Sequence, residues 1–197
     1  MLRLILHPDQ LRLLSDELAR AREREIGGVL VGEQIAPDAF RLVDLSVQRS
    51  GGTATCFVCE PAQHQPFLDD FFARTDGNFS RFNYLGEWHS HPRFPAAPSE
   101  PDLRQMQALV DEEPALRPFA ILMVVRLAAR TRVELCPLVF RSHFPPENVE
   151  VAVAPRPYGE SAARTPSWPH RILRRAPPID LAVVRLAADS LSIEDEG

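Results

Sequence analysis

Gly86-Glu87-Trp88-His89-Ser90-His91-Pro92, running on through Pro98-Ser99-Glu100-Pro101-Asp102, decides how this chain is read. The run Phe82 to Trp88 has the make-up of a strand, and two histidines stand at its end. On an extended strand, side chains two residues apart point to the same side. His89 and His91 can therefore reach one ion at about 2.0–2.1 Å. A Pro-rich loop, Pro92 to Pro98, leads into a helix expected from Ser99 to about Val110, with Leu103, Met106 and Leu109 on one side. Asp102 falls in its first turn, where the chain can return to the same ion. Two His and one carboxylate leave one position of a tetrahedral zinc ion open, the pattern of a catalytic site. Zinc there lowers the pKa of a bound water to about 7 and polarises a carbonyl.

Hydrolysis also needs a general base and a donor to the developing oxyanion. Glu25 is the best base candidate, because it precedes Ile26-Gly27-Gly28, where a helix is expected to end beside a cleft. The Ser99 hydroxyl is the candidate oxyanion donor. Ser99-Glu100-Pro101-Asp102 equally fits a helix capping box with Pro early in the helix, and the two roles are compatible. Trp88 is expected in the core. Glu87 is expected to point away from the histidines into solvent. His7, His64, His143 and His170 lack ligand spacing and are expected to be surface or hydrogen-bonded residues.

Working outward, Leu2, Leu4 and Leu6 alternate with Arg3 and Ile5 as a short strand. Pro8 suits a first helical turn, and Leu11, Leu14 and Leu18 trace one buried helical face. Strands are expected at Val29–Gly32, Phe40–Val47 and Ala54–Val58, with a turn at Ala36-Pro37-Asp38. A helix is expected from Pro61 to about Arg74. An apolar strand from Phe119 to Val125 should form a hairpin with Arg132 to Phe140. After about Phe144 eight prolines and several arginines dominate, so residues 145–197 read as an extended tail or strap, with one short helix at Ile179–Leu191. Residues 1–144 then form one α+β domain, a curved and largely antiparallel sheet flanked by helices.

Composition narrows the function. The chain has 197 residues, 45% hydrophobic and 25% charged, as expected of a globular domain. Net charge is −5, so there is no broad basic footprint for nucleic acid. No apolar run reaches the roughly 18–20 residues that span a bilayer, and the first residues do not resemble a signal peptide, so the cytoplasm is the expected compartment. Cys56, Cys59 and Cys136 are an odd set, and the single Cys-x-x-Cys lacks a second pair for a four-sulfur zinc site; buried or idle thiols are expected. All 22 basic side chains are Arg, with no Lys, in keeping with a GC-rich coding bias.

Glu25-Ile26-Gly27-Gly28 before an apolar run, then His89-Ser90-His91, seven residues beginning with Pro92, Ser99, two residues and Asp102, resembles the JAMM motif of the JAB/MPN/Mov34 metalloprotease family. The resemblance covers about residues 1–140. It implies a cytidine-deaminase-like MPN/JAB fold. It implies that His89, His91 and Asp102 bind Zn²⁺, that Glu25 moves a proton from water to the leaving amine, and that Ser99 supports the tetrahedral intermediate. Family members cleave peptide or isopeptide bonds after the C-terminal tail of ubiquitin or ubiquitin-like proteins, and such a tail is expected to add as an edge strand beside the cleft. The chain is most similar to stand-alone bacterial members found beside E1/E2-like conjugation genes, including anti-phage islands. These E1/E2-like proteins are the implied partners, with no nucleic acid and no membrane. Release of cysteine or another small group from a sulfur-carrier protein, and a non-catalytic MPN scaffold, are the alternatives. A DNA-repair branch shares the histidine motif, but the acidic balance and the lack of a helix-hairpin-helix region argue against it.

Overall fold

Alternating Leu2, Leu4 and Leu6 are fully buried and start strand β1 (Arg3–Leu6). In this computed structural model, which describes residues 1–129 and 132–154, the order continues α1 (Pro8–Ala21), β2 (Gly27–Ala36), β3 (Ala39–Leu45), α2 (Pro61–Arg74), β4 (Phe82–Ser90), α3 (Glu100–Glu112), β5 (Ala120–Ala129), β6 (Arg132–Arg141), β7 (Phe144–Asn148) and β8 (Glu150–Val153). One eight-stranded sheet runs β7-β6-β5-β4-β2-β3-β1-β8. The sheet is mixed. Its β2–β3, β2–β4, β5–β6 and β6–β7 ladders are antiparallel, and β1–β3, β1–β8 and β4–β5 are parallel.

The boundary expected at residue 144 falls inside the sheet. β7 pairs with β6 at one end of the strand order and β8 with β1 at the other, yet only Val149 separates them. One residue spans at most about 3.6 Å, so the two ends of the sheet must meet. Val149 N–H donates to Pro137 O at 3.2 Å and Glu150 N–H to Leu2 O at 2.9 Å. Residues 144–153 thus lace a curled sheet shut, and the domain runs at least to Val153. The prolines at 145 and 146 are tolerated because β7 lies at the end of the strand order, where few ladder donors are needed. The helix expected at Ile179–Leu191 lies outside the described residues.

The curl encloses the main core. Leu11, Leu14 and Leu18 of α1 pack with Met123 and Val125 of β5 and Leu135 of β6. On the opposite face of β5 and β6, Met106 and Val110 of α3 cover Leu122, Val124 and Phe140. Strand alternation sets this division: 121, 123 and 125 face α1, while 122 and 124 face α3. Burying one such Leu side chain contributes about 1.5–3 kcal/mol.

Two local expectations change. Helix α1 stops at Ala21, where Arg22 takes a positive φ of 57° and its N–H closes on Leu18 O. The glycines at 27 and 28 are therefore not a helix stop; they begin β2. A Cβ on Gly27 would lie 2.3 Å from Trp88 O and 2.5 Å from the Phe57 ring, so the position demands close approach. Ala54–Val58 forms no strand. Thr53 N–H bonds Cys56 O in a local turn, and the Phe57 ring packs onto Gly27 rather than into the sheet.

Candidate metal centre

Strand β4 is hydrogen-bonded on both edges, by β2 and by β5, and its end carries the histidines. His89 pairs with Gly27 on one side and Val124 on the other. His91 N–H donates to Val125 O at 2.9 Å, extending the order one step past the strand. An edge-strand addition beside the histidines is thus blocked along β4 itself.

The structure brings His89, His91 and Asp102 together. The Nε2 atoms of the two histidines are 3.2 Å apart, and Asp102 Oδ2 lies 3.5 Å from one and 3.7 Å from the other. Ligands about 2.0–2.1 Å from a tetrahedral ion stand about 3.3 Å from each other. The donor triangle therefore fits zinc both in chemistry and in size. His91 Nδ1 sits 3.1 Å from Pro95 O, an atom that only accepts, so Nδ1 carries the proton and Nε2 turns a lone pair to the centre. Sequence reading missed Pro95 because its carbonyl is a backbone group with no residue signature. Burial and the neighbouring His89 both hold His91 below the ordinary imidazole pKa.

Ser99 is the N-cap of α3 and closes a capping box with Asp102. Its N–H donates to Asp102 Oδ2 at 2.7 Å and its hydroxyl to the same oxygen at 2.6 Å. Burial alone would raise the Asp102 pKa, but hydrogen bonds from His89 and Ser99 hold it well below the usual carboxylate range. In this arrangement Ser99 orients Asp102. Donation to an oxyanion requires its hydroxyl to turn away from Oδ2.

Glu25 lies in the α1–β2 connection and is only 4% exposed. Burial raises its pKa, the charge of His89 lowers it, and that of Asp102 raises it again, so the carboxyl is within electrostatic reach of the donor triangle. Two backbone ties place it. Ile26 N–H donates to Ser90 Oγ at 2.9 Å, and Glu25 N–H to Thr53 O at 2.7 Å. Ser90 is the middle residue of His-Ser-His and faces inward, where its hydroxyl fastens the Glu25 segment to β4.

Glu87 corrects an expectation. Residues 87 and 89 are two apart on one strand and share a face, so Glu87 points to the histidine side. It lines a cavity of about 840 Å³ that reaches between α2 and the end of α3. Burial raises its pKa, with His89, Cys59 and Tyr84 opposing. Burial, then Glu87, pushes the Cys59 thiol up to about 12, and burial also raises Cys136, which suits idle thiols; Cys56 is exposed. Trp88 is fully buried, as expected, and its Nε1–H donates to Ser46 O. Among the described residues no helix is long and apolar enough to cross a membrane.

The sequence profile of prokaryotic homologues of the JAB domain matches residues 7–137. Among solved structures, protein DSY2949 from Desulfitobacterium hafniense superposes with a TM-score of 0.59 at 20% identity, over 77% of this chain and 92% of that one. No curated protein matches this chain.

Proposed function

The chain belongs to the family of prokaryotic homologues of the JAB domain, and from that premise we propose that it is a zinc-dependent peptidase or isopeptidase cutting after the C-terminal tail of a ubiquitin-like protein. The observation that carries the reading is the donor triangle of His89, His91 and Asp102, with the buried Glu25 in electrostatic reach of it. His89, His91 and Asp102 would hold the ion. When bound, zinc acidifies water and polarises the scissile carbonyl. Glu25 takes the proton released by the attacking water and delivers it to the leaving amine. Its raised pKa suits both halves of that transfer, because the conjugate acid is a usable donor nearer neutral pH. Ser99 keeps Asp102 in place. Both edges of β4 are occupied, which supports a tail that enters from the face carrying the histidines instead of pairing with β4. The reading makes E1/E2-like conjugation proteins of the same operon its partners and the cytoplasm its compartment.

The test is incubation of the full chain with a linear fusion of a ubiquitin-like protein to a reporter. Zinc content is measured in the same samples. Cleavage that needs zinc and disappears in Glu25→Ala and in His89→Ala is the expected result. Zinc-loaded protein that cuts no ubiquitin-like fusion overturns the reading, and release of free cysteine from a sulfur-carrier protein under the same conditions would replace the substrate.

A further inference from the structure

The segment 48–60, between β3 and α2, covers the candidate centre without contributing a ligand to it. Its Phe57 ring stacks on His89 with centroids 6.3 Å apart and planes 24° from parallel. Its Thr53 carbonyl holds the Glu25 amide. Gly52 packs so closely that a Cβ there would lie 1.9 Å from Glu25 O. The position of the general-base candidate is therefore set from this segment as much as from β4.

What holds the segment is a buried polar relay. Gln48 is 2% exposed, and its side-chain amide is fully committed. Nε2–H donates to Ser50 O at 3.1 Å and to Val58 O at 3.0 Å, while Oε1 accepts from Glu60 N–H at 2.9 Å. These backbone partners determine which end of the amide is which. The ring of His64, on α2 and also 2% exposed, reaches Gln48 Oε1 through Nε2 at 3.0 Å, so Nε2 must carry a proton. Its Nδ1 lies 2.8 Å from Ser46 Oγ, which already accepts from Val29 N–H at 2.9 Å. The Ser46 hydroxyl then donates to Nδ1, and the ring is neutral with one defined tautomer. Burial, against the pull of Glu60, likewise holds its pKa below the ordinary value. Each donor in this relay meets one acceptor.

We propose that His64 is a positioning residue: through Gln48 and Ser46 it locks the 48–60 segment over the metal centre, and so sets where Glu25 stands. Replacing the ring by an apolar side chain takes from Gln48 Oε1 one of its two donors and leaves the Ser46 hydroxyl without its acceptor, so the anchor of the segment loosens while Gln48 keeps its bonds to Ser50, Val58 and Glu60 and the residues His89, His91 and Asp102 are untouched. The kinetic part of the test rests on the peptidase reading; the exchange part does not.

The experiment compares full-length wild type, His64→Leu and His64→Gln. Amide hydrogen exchange is followed by NMR at Glu25 and Glu60, with His91, whose amide bonds Val125 O, as the internal reference. His64→Leu should speed exchange at Glu25 and Glu60 by about tenfold or more, a local opening, with His91 and zinc affinity unchanged. Turnover should fall about 10- to 100-fold, as for a displaced catalytic group, with a smaller change in KM. His64→Gln, which returns a donor and an acceptor to the slot, should recover part of both effects. If His64→Leu does not fold, Ser46→Ala, which removes the donor to His64 Nδ1 together with the acceptor of the Val29 amide, should speed exchange at Glu25 and Glu60 in the same direction by a smaller factor. Unchanged exchange at Glu25 in a folded variant overturns the proposal. A wild-type chain that cuts no ubiquitin-like fusion counts against the peptidase reading alone, because exchange still decides the role of His64.

Discussion

Helices α1 and α3 begin with the same local device. In α1, His7 accepts the Asp9 amide, and the Gln10 side chain accepts the His7 amide at 2.8 Å. In α3, Ser99 accepts the Asp102 amide, and the Asp102 side chain accepts the Ser99 amide at 2.7 Å. Each helix carries a proline within its first two positions. The difference lies in what the third residue does with its remaining capacity. Gln10 turns its Nε2–H to Leu42 O at 2.9 Å and fastens α1 to β3. Asp102 turns the oxygen that closes its cap toward the two histidines at the end of β4. A capping box thus starts a helix in either place, and only a charge aimed at a neighbouring pair of imidazoles makes one of them a candidate metal ligand.

The comparison can be broken most forcefully at the third position. Asp102→Asn keeps an oxygen that can accept the Ser99 amide but removes the charge. Zinc affinity should fall by at least about 100-fold, the upper range for losing an outer-shell partner, and cleavage should go with it. Gln10→Ala should leave zinc affinity unchanged, as read by chelator competition. If both substitutions weaken zinc equally, the difference drawn between the helices is wrong.

At the first position the expected effects are smaller. Ser99→Ala should cost about 1 kcal/mol of stability, about 2–4 °C in Tm for a domain of this size, and weaken zinc by about 10- to 100-fold through Asp102. His7→Ala should cost a similar or smaller amount of stability with no change in zinc. Thermal melts beside zinc titrations separate the two outcomes.

The smallest effect is one of pH. The folded pKa of Asp102 lies below its unfolded value of about 3.9. Its contribution to stability is therefore complete above that value and is lost as pH falls through the lower folded pKa. In zinc-free protein, the stability gap between wild type and Asp102→Asn, measured by denaturant unfolding, should narrow between about pH 5 and pH 2. The gap to Gln10→Ala should stay level, because an amide does not titrate there. A level gap for Asp102→Asn as well would mean that its cap has no ionic part.

Much of this was legible in the chain. The leucines at 2, 4 and 6 place β1, and Pro61 and Arg74 bound α2 as expected. His89, His91 and Asp102 converge because strand alternation and a capped first turn are short-range features. The misses have two causes, one local and one long-range. Arg22 closes α1 in a left-handed conformation that no glycine announces. Phe57 and Val58 have strand-like composition, yet the segment is claimed by the His89 ring and the Gln48 relay instead of a ladder. Pro145 and Pro146 read as linker, yet they sit in the strand that helps close the sheet. The last two outcomes depend on partners far away in the chain, whereas Arg22 closes locally on Leu18 O.

By itself the sequence determined the donor set, the helix starts and the α+β class, since spacing, alternation and caps act over a few residues. The tertiary structure alone decided that Glu25 stands buried near those donors, that residues 48–60 lie over them, and that residues 144–153 join both ends of the sheet. Those facts follow from burial and from pairings across long loops, where the free energy of a position depends on what packs against it and not on its neighbours in the chain.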